Sequence, residues 1–225
     1  MAEPPVLLVH GFATSADRTW RDNGWIDLLK DVGREVIAVD LLGHGSRDKP
    51  HDPAAYEHLE DDVAAQLPDE RVDAIGFSLG ARTILTIAAE QPNRFVRIVA
   101  TGVGANLFRD EPRNLIADAI RGAGDGENPV SQYFAGLARQ PGNDPEALIA
   151  CMGSPRPRLD GGRLANVTCP TLVVIGDRDF AGPGEPLAEA LPNATLLTLP
   201  GLDHFATPKD FRVLDAALEF IGASM

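Results

Sequence analysis

Basic residues are scarce in this chain of 225 residues, and their scarcity excludes some classes of binding partner. There are 20 lysines and arginines against 33 aspartates and glutamates, which leaves a formal net charge of −13. No run of lysines or arginines interrupts this acidic background. Proteins that bind nucleic acid or anionic membranes carry such basic clusters. We therefore expect neither a nucleic acid nor another phosphate-rich macromolecule as a partner.

Cysteines and metal-binding motifs are equally sparse. The two cysteines, Cys151 and Cys169, are too few for a disulfide framework. Neither belongs to a Cys/His cluster with metal-ligand spacing, and no HExxH, HxH or DxDxDG pattern occurs. We predict buried, unreactive thiols, no metal and no cofactor.

Long hydrophobic runs are also missing. The stretch from Val6 to Val9 is too short for a membrane span or for the apolar core of a signal peptide, and the residues before it include an acid and two prolines. We expect a cytoplasmic protein with no integral membrane segment. A hydrophobic content of 44% is enough for one substantial core, which predicts a single domain over residues 1–225.

Short apolar runs alternate with helical patterns along the chain. The apolar runs predict strands at Pro5–Val9, Glu35–Val39, Val72–Gly76, Val96–Ala100, Thr171–Ile175 and Ala194–Leu199. Helical patterns cover Trp25–Val32, Tyr56–Gln66, Ala81–Glu90, Glu185–Ala190 and Lys209–Ile221, with Thr207 as the predicted cap and Pro208 at the start of the last helix. This order is typical of an α/β fold, a parallel sheet with helices on both faces.

One connection breaks the alternation. Residues 104–166 form a segment too long for a simple loop between two elements of a compact domain. Helical patterns within it cover Glu111–Arg121, Val130–Arg139 and Pro145–Met152. We predict a small helical cap inserted between the fourth and fifth strands; the alternative is a surface excursion without function.

The segment Gly76-Phe77-Ser78-Leu79-Gly80 joins the third predicted strand to a helix. A serine in so tight a turn adopts a strained backbone that exposes its hydroxyl, and flanking glycines avoid crowding it. The helix that follows directs unpaired backbone N–H groups, beginning with Leu79, toward an oxyanion formed at the serine. Ser78 is therefore a candidate nucleophile.

A nucleophilic serine needs a base and an acid, and these should lie at other strand ends. Gly176-Asp177-Arg178-Asp179 follows the fifth strand and Gly201-Leu202-Asp203-His204-Phe205 the sixth. His204 is the candidate base. The acid could be Asp179 or Asp177, while Asp203 adjoins His204 too closely to hold its ring and is interpreted as a loop carboxylate.

Together with His10-Gly11-Phe12 after the first strand, these segments resemble the α/β-hydrolase superfamily from Val6 to the last helix. The resemblance implies a sheet of six parallel strands in the order 2-1-3-4-5-6, without the two antiparallel N-terminal strands of larger members. It implies Ser78 as nucleophile, His204 as general base and Asp179 as the acid, with Asp177 in support. It also implies the backbone N–H groups of Phe12 and Leu79 as oxyanion donors.

Two further histidines lie in loops of this resemblance. His10 belongs to the loop similar to the family's oxyanion loop, and His44 to the turn Asp40–Ser46, which resembles the family's Asp-x-x-Gly-x-Gly-x-Ser turn with its serine one position early. We interpret both imidazoles as braces between loops.

The residues expected around Ser78 are largely apolar: Phe12, Phe77, Leu79, Leu107, Phe108, Tyr133, Phe134, Met152 and Phe205. No basic cluster accompanies them. This favours a small-molecule substrate, a small to medium uncharged carboxylic ester cleaved through an acyl-enzyme by a carboxylesterase. An arginine in the pocket, with Arg82, Arg109 and Arg178 as the candidates, would change that expectation.

Two other functions fit the same residues. Similar triads catalyse carbon–carbon bond hydrolysis, perhydrolysis or lyase reactions. A ligand-sensing protein can also be built on a hydrolase scaffold that keeps its triad.

Overall fold

The computed structural model describes residues 3–109, 114–123, 126–156 and 158–223. Its centre is a sheet of six strands, which are β1 (Val6–Val9), β2 (Val36–Val39), β3 (Val72–Phe77), β4 (Phe95–Thr101), β5 (Thr171–Gly176) and β6 (Ala194–Leu199). The spatial order is β2-β1-β3-β4-β5-β6, and each neighbouring pair is parallel. The predicted fold class and strand order are thus confirmed.

The helices of the described residues follow the alternation predicted from the sequence. They are α1 (Trp25–Asp31), α2 (Leu59–Ala64), α3 (Leu79–Glu90), α4 (Asn114–Arg121), α5 (Pro129–Ala138), α6 (Pro145–Gly153), α7 (Gly161–Leu164), α8 (Glu185–Ala190) and α9 (Phe211–Phe220). A π-helical turn, Asp17–Arg21, precedes α1, and 3₁₀ turns occur at Pro53–Tyr56, Ala105–Phe108 and Thr207–Lys209.

Two hydrophobic clusters cover the two faces of the sheet. Leu7 and Val9 of β1 belong to the cluster that includes α2 and α3. Val6 and Leu8 belong to the cluster that includes α1 and α9. Successive side chains of a strand point to opposite faces, so this division of β1 follows from its continuous apolar sequence.

The pairing register of the central strands places their carboxyl ends side by side. Val9 of β1 pairs with Gly76 of β3, and Phe77 of β3 pairs with Thr101 of β4, which in turn pairs with Val174 of β5. The loops that leave these strands therefore emerge at one edge of the sheet. Ligand sites of open parallel sheets form at this edge.

The segment between β4 and β5 holds α4 to α7. The side chains of Asn128 and Asp144 cap the N-termini of α5 and α6, close to the predicted starts. The first three residues of the predicted helix Glu111–Arg121 lie outside the described residues. The short α7 was not predicted, because four residues are too few to show a helical period. The division of the chain into one domain with a cap at about 104–166 stays a prediction.

The predicted start of the last helix is wrong. Thr207–Lys209 forms a separate 3₁₀ turn, and α9 begins only at Phe211. Asp210 separates them in an extended conformation, and its carboxylate accepts a hydrogen bond from the N–H of Arg212 at 2.9 Å. The indole of Trp25 donates to the carbonyl of Pro208 at 2.8 Å, which holds the turn against α1.

A buried ion pair lies at the opposite end of the sheet from Ser78. Asp73, near the start of β3, is fully buried and accepts hydrogen bonds from Arg34 at 2.5 Å and from Arg97 at 2.8 Å. Arg34 also donates to the carbonyls of Pro4 and Ile221. Removing one partner of such a pair leaves a buried charge uncompensated, so these contacts hold the chain segments together.

Within the described part of the chain, no helix has the length and apolar character needed to cross a membrane.

Candidate active site

Ser78 occupies the turn between β3 and α3 in a strained conformation. Its φ is 54° and its ψ is −113°, and its N–H donates to the carbonyl of Thr101 at 2.8 Å. The two glycines of the motif are required sterically. A Cβ on Gly80 would lie 2.1 Å from the carbonyl oxygen of Val9, and one on Gly76 would lie 2.6 Å from the Cα of Ala81. The close approach of α3 to β1 and β3 therefore depends on these glycines.

The imidazole of His204 contacts both other residues of the predicted triad. Its Nε2 lies 3.0 Å from Ser78 Oγ. Its Nδ1 lies 2.9 Å from Oδ1 and 3.0 Å from Oδ2 of Asp179. An ionised carboxylate only accepts, so Nδ1 carries the proton and Nε2 is left to accept from the serine hydroxyl. The N–H of Ala181 donates to Asp179 at 2.8 Å and helps to orient the carboxylate.

The site is shielded from solvent by aromatic rings. His204 is 2% exposed and Asp179 is 7% exposed. The ring centroid of Phe180 lies 4.2 Å from that of His204, and that of Phe77 lies 4.9 Å away. Phe180 follows Asp179 directly in the sequence, but its role beside the imidazole was not predicted.

The other two candidate acids make contacts within their loops. Asp177 accepts a hydrogen bond from the N–H of Gly201 at 2.7 Å. Asp203 accepts from the N–H of Ala206 at 2.9 Å. Both residues are exposed. Of the three acids that follow β5 and β6, Asp179 is the one whose carboxylate contacts His204.

The two predicted oxyanion donors lie next to Ser78. Phe12 and Leu79 line the same cavity as the serine. Leu79 is the first residue of α3, where a backbone N–H has no acceptor inside its helix. Within the described ranges, no acceptor contacts the N–H of Phe12. Neither N–H group has an acceptor among the described residues, and their role as oxyanion donors stays a prediction.

His10 and His44 make contacts that agree with their interpretation as braces. His10 is fully buried, its Nδ1–H donates to the carbonyl of Gly11 at 2.7 Å, and its Nε2 accepts from the N–H of Leu41 at 3.1 Å. This pattern belongs to a neutral imidazole, and burial lowers the pKa of His10. His44 donates through Nδ1 to the carbonyl of Leu42 at 3.0 Å. Burial, followed by the nearby His10, lowers the pKa of His44 to about 3.

The buried His44 is expected to make stability depend on pH. Its pKa is about 3 in the folded protein and about 6.5 in an unfolded chain. The unfolded state therefore binds more protons between these values. The contribution of His44 to the free energy of unfolding should be fully present above about pH 6.5. It should fall by about 1.4 kcal/mol per pH unit as the pH drops toward 3. Urea unfolding of wild type and His44→Asn between about pH 6.5 and 5 measures this difference in slope.

His58→Asn is the control, because that imidazole is exposed and remains solvated in both states. Equal slopes for wild type and His44→Asn would contradict the burial of a neutral His44.

Two cavities meet at Ser78. The larger has a volume of about 490 Å³ and the smaller about 170 Å³. Of the predicted pocket residues, Leu79, Leu107 and Met152 line the larger cavity, Phe77, Tyr133 and Phe205 line the smaller one, and Phe12 and Phe134 line both. The placement of Phe108 in the pocket is wrong. It is 38% exposed and lines neither cavity, because its 3₁₀ turn directs the neighbouring Leu107 inward instead.

The larger cavity is lined by a cluster of arginines that was not predicted from the sequence. Arg82, Arg109, Arg156 and Arg158 all line it. Its described lining includes neither aspartate nor glutamate. The expectation of an uncharged substrate assumed no basic cluster at the pocket, and that assumption is wrong. Arg178 lines neither cavity. The alternating segment Pro-Arg-Pro-Arg at residues 155–158, just after the predicted pocket residue Met152, was the available signal.

A family model described as the alpha/beta hydrolase family matches residues 6–216 of the chain. The protein belongs to the alpha/beta hydrolase family. Among the described residues of this hydrolase, no three histidine, cysteine, aspartate or glutamate side chains are grouped so that they could hold a metal ion.

Named relatives of this hydrolase include esterases. A pimeloyl-[acyl-carrier protein] methyl ester esterase of Neisseria meningitidis serogroup B is 30% identical over 232 residues, which cover 88% of this chain and 85% of that protein. An uncharacterized protein of Mycobacterium tuberculosis is 36% identical over 104 residues. That match covers 45% of this chain and spans only 29% of the length of the mycobacterial protein.

Solved structures share the fold of the hydrolase. That of a thermophilic esterase from Thermogutta terrifontis superposes with a TM-score of 0.75 at 23% sequence identity. The superposition covers 98% of this chain and 90% of the esterase.

Proposed function

We propose that this hydrolase cleaves small to medium carboxylic esters through an acyl-enzyme, as a serine hydrolase of the carboxylesterase type. The observation that carries the proposal is the pair of contacts made by His204, 3.0 Å to Ser78 Oγ and 2.9 Å to Asp179 Oδ1. A serine becomes a nucleophile when a base within hydrogen-bond distance removes its proton, and a carboxylate on the far side of that base orients and stabilises it.

In the first half of the reaction, Ser78 Oγ attacks the ester carbonyl while His204 Nε2 takes the hydroxyl proton. The negative charge that develops on the carbonyl oxygen is accepted by the N–H groups of Phe12 and Leu79. Each donor of this kind contributes about 3 kcal/mol to stabilisation of the transition state. Asp179 stabilises the imidazolium.

In the second half, the tetrahedral intermediate collapses and His204 gives its proton to the departing alcohol. The acyl group remains on Ser78. A water molecule, deprotonated by His204, then attacks the ester of the acyl-enzyme and releases the acid.

The names of the relatives support ester chemistry. The Neisseria relative is a methyl ester esterase at 30% identity over most of both chains. Esters are also substrates that the two cavities can admit on either side of Ser78. A cytoplasmic location, expected from the sequence, stays a prediction.

Fluorophosphonate labelling tests the proposal. We expect one phosphonyl group per molecule of wild-type protein, located on the peptide that contains Ser78 by mass spectrometry, and no labelling of Ser78→Ala. An intact wild-type protein that remains unlabelled and hydrolyses no p-nitrophenyl ester would refute the proposal. It would leave the ligand-sensing alternative.

A further inference from the structure

The two cavities beside Ser78 differ in their access to His204. The smaller one, of about 170 Å³, is lined by His204, whereas the described lining of the larger one, of about 490 Å³, does not include it. In the proposed reaction His204 must reach the oxygen of the leaving alcohol in order to protonate it. The alcohol therefore belongs in the smaller cavity, and the acyl chain belongs in the larger cavity.

Positively charged side chains line the larger cavity of this acidic protein. Four arginines line it, without a carboxylate among its described lining residues, while the whole chain has a net charge of −13. A cavity lined by one sign of charge concentrates ligands of the opposite sign, because its low-dielectric walls focus the field. The acyl cavity thus favours an anion over a neutral chain of the same size.

Arg156 is the arginine best prepared for such an anion. Its Nη2 donates to the carbonyl oxygen of Cys151 and lies 3.0 Å from the Cys151 sulfur, which fixes the guanidinium against the end of α6. Its Nε is buried and has no acceptor within the described residues. Because Nε is shielded from the cavity, a carboxylate there would contact Nη1, which is not buried and has no acceptor among the described residues.

Among the described residues, no carboxylate pairs with Arg156. Burial raises the pKa of the Cys151 thiol, so the sulfur remains a neutral neighbour. The other three arginines interact elsewhere as well; Arg109, for example, donates to the carbonyl of Gly182 at 2.9 Å. The contact with the ligand is therefore assigned to Nη1 of Arg156, which lines the cavity.

We infer that the substrate is a monoester of a dicarboxylic acid with a small alcohol, whose free carboxylate is bound by Arg156 in the larger cavity. This inference rests on the proposed function and adds the substrate class to it. The bond between Ser78 Oγ and the carbonyl carbon forms as the bond to the alcohol oxygen breaks, and the serine proton leaves with the alcohol through His204. Water then releases the dicarboxylic acid and restores Ser78.

A charge-matched substrate series tests the inference on the full-length protein. The substrates are monomethyl esters of linear dicarboxylic acids, from succinate to suberate. Each is compared with the methyl ester in which the free carboxylate is replaced by a primary amide, which has the same length and no charge. At the best chain length, we expect kcat/KM for the carboxylate to exceed that for the amide by about tenfold or more. Added sodium chloride should reduce this ratio, because salt screens the attraction.

Substitutions locate the effect. Arg156→Gln should lower the ratio of kcat/KM for the carboxylate ester to that for the amide several-fold toward one. Arg178→Gln removes an exposed arginine outside both cavities and should keep the wild-type ratio. Fluorophosphonate labelling of each variant shows whether it is folded around an active Ser78.

The outcomes separate this inference from the proposed function. Suppose that the wild-type protein is labelled at Ser78 but has equal kcat/KM for the carboxylate esters and the amide esters. That result, or a ratio of the two kcat/KM values that salt does not change, would overturn the inference and leave the proposed function standing. A full preference retained in a labelled Arg156→Gln variant would also overturn it. A protein that is neither labelled nor active on any ester would overturn the proposed function itself.

Discussion

Replacing Ser78 with alanine is expected to lower kcat for ester hydrolysis by about 10⁵- to 10⁶-fold, as is typical when a triad nucleophile is removed. The variant keeps His204, Asp179 and the backbone donors but has no oxygen that can attack the carbonyl. Only the slow attack of water in the polar environment of the site remains. Steady-state kinetics with a p-nitrophenyl ester, supplemented by single-turnover measurements, would quantify the loss.

Folding and contaminating activity must be controlled in this experiment. Ser131→Ala is the matched control, because Ser131 is a buried serine on α5 that lines neither cavity. Its kcat should stay within about threefold of wild type, since substitutions away from the reacting groups have small effects. A Ser78→Ala variant with more than about 1% of wild-type activity would contradict a nucleophilic role for Ser78.

Asp179→Asn is expected to lower kcat by about 10⁴-fold with little change in KM. The substitution keeps the size of the side chain but replaces one accepting oxygen with an NH₂ group. That group can donate to His204 Nδ1 and favours the tautomer with its proton on Nε2. In that tautomer, Nε2 cannot take the proton of Ser78.

The same substitution at Asp177 provides the comparison. Asp177 is two residues away and contacts the N–H of Gly201 instead of the imidazole. We expect kcat of Asp177→Asn within about threefold of wild type and a modest loss of stability from the weakened loop contact. A larger loss of kcat in Asp177→Asn than in Asp179→Asn would transfer the acid role to Asp177.

The sheet was predictable because its signal is local. Consecutive valine, leucine and isoleucine at β1 and β5 predicted strands buried on both faces, and all residues of these strands are buried. The order of the strands required the family resemblance. Their ends did not follow from apolar runs alone. β3 extends to Phe77 and β4 to Thr101, because these residues pair with each other across the sheet.

Among the candidate site residues, those named by a motif at a strand end are the ones that the structure brings together. Ser78, Asp179 and His204 each follow a strand, and the parallel sheet brings such positions to one edge. Arg156 comes from the long segment between β4 and β5, where no periodic pattern relates a residue to Ser78. The buried contact of Asp73 with Arg34 joins residues 39 positions apart. A single sequence contains no signal for such a pairing.

The strained backbone of Ser78 lowers the folding stability of the protein. A non-glycine residue at a φ of 54° and a ψ of −113° costs on the order of 1–3 kcal/mol of folding free energy. Glycine would relieve the strain but would remove the hydroxyl. Under the proposed function, selection for stability and selection for activity therefore oppose each other at this one position, and a gain in heat resistance that keeps the activity has to come from other residues.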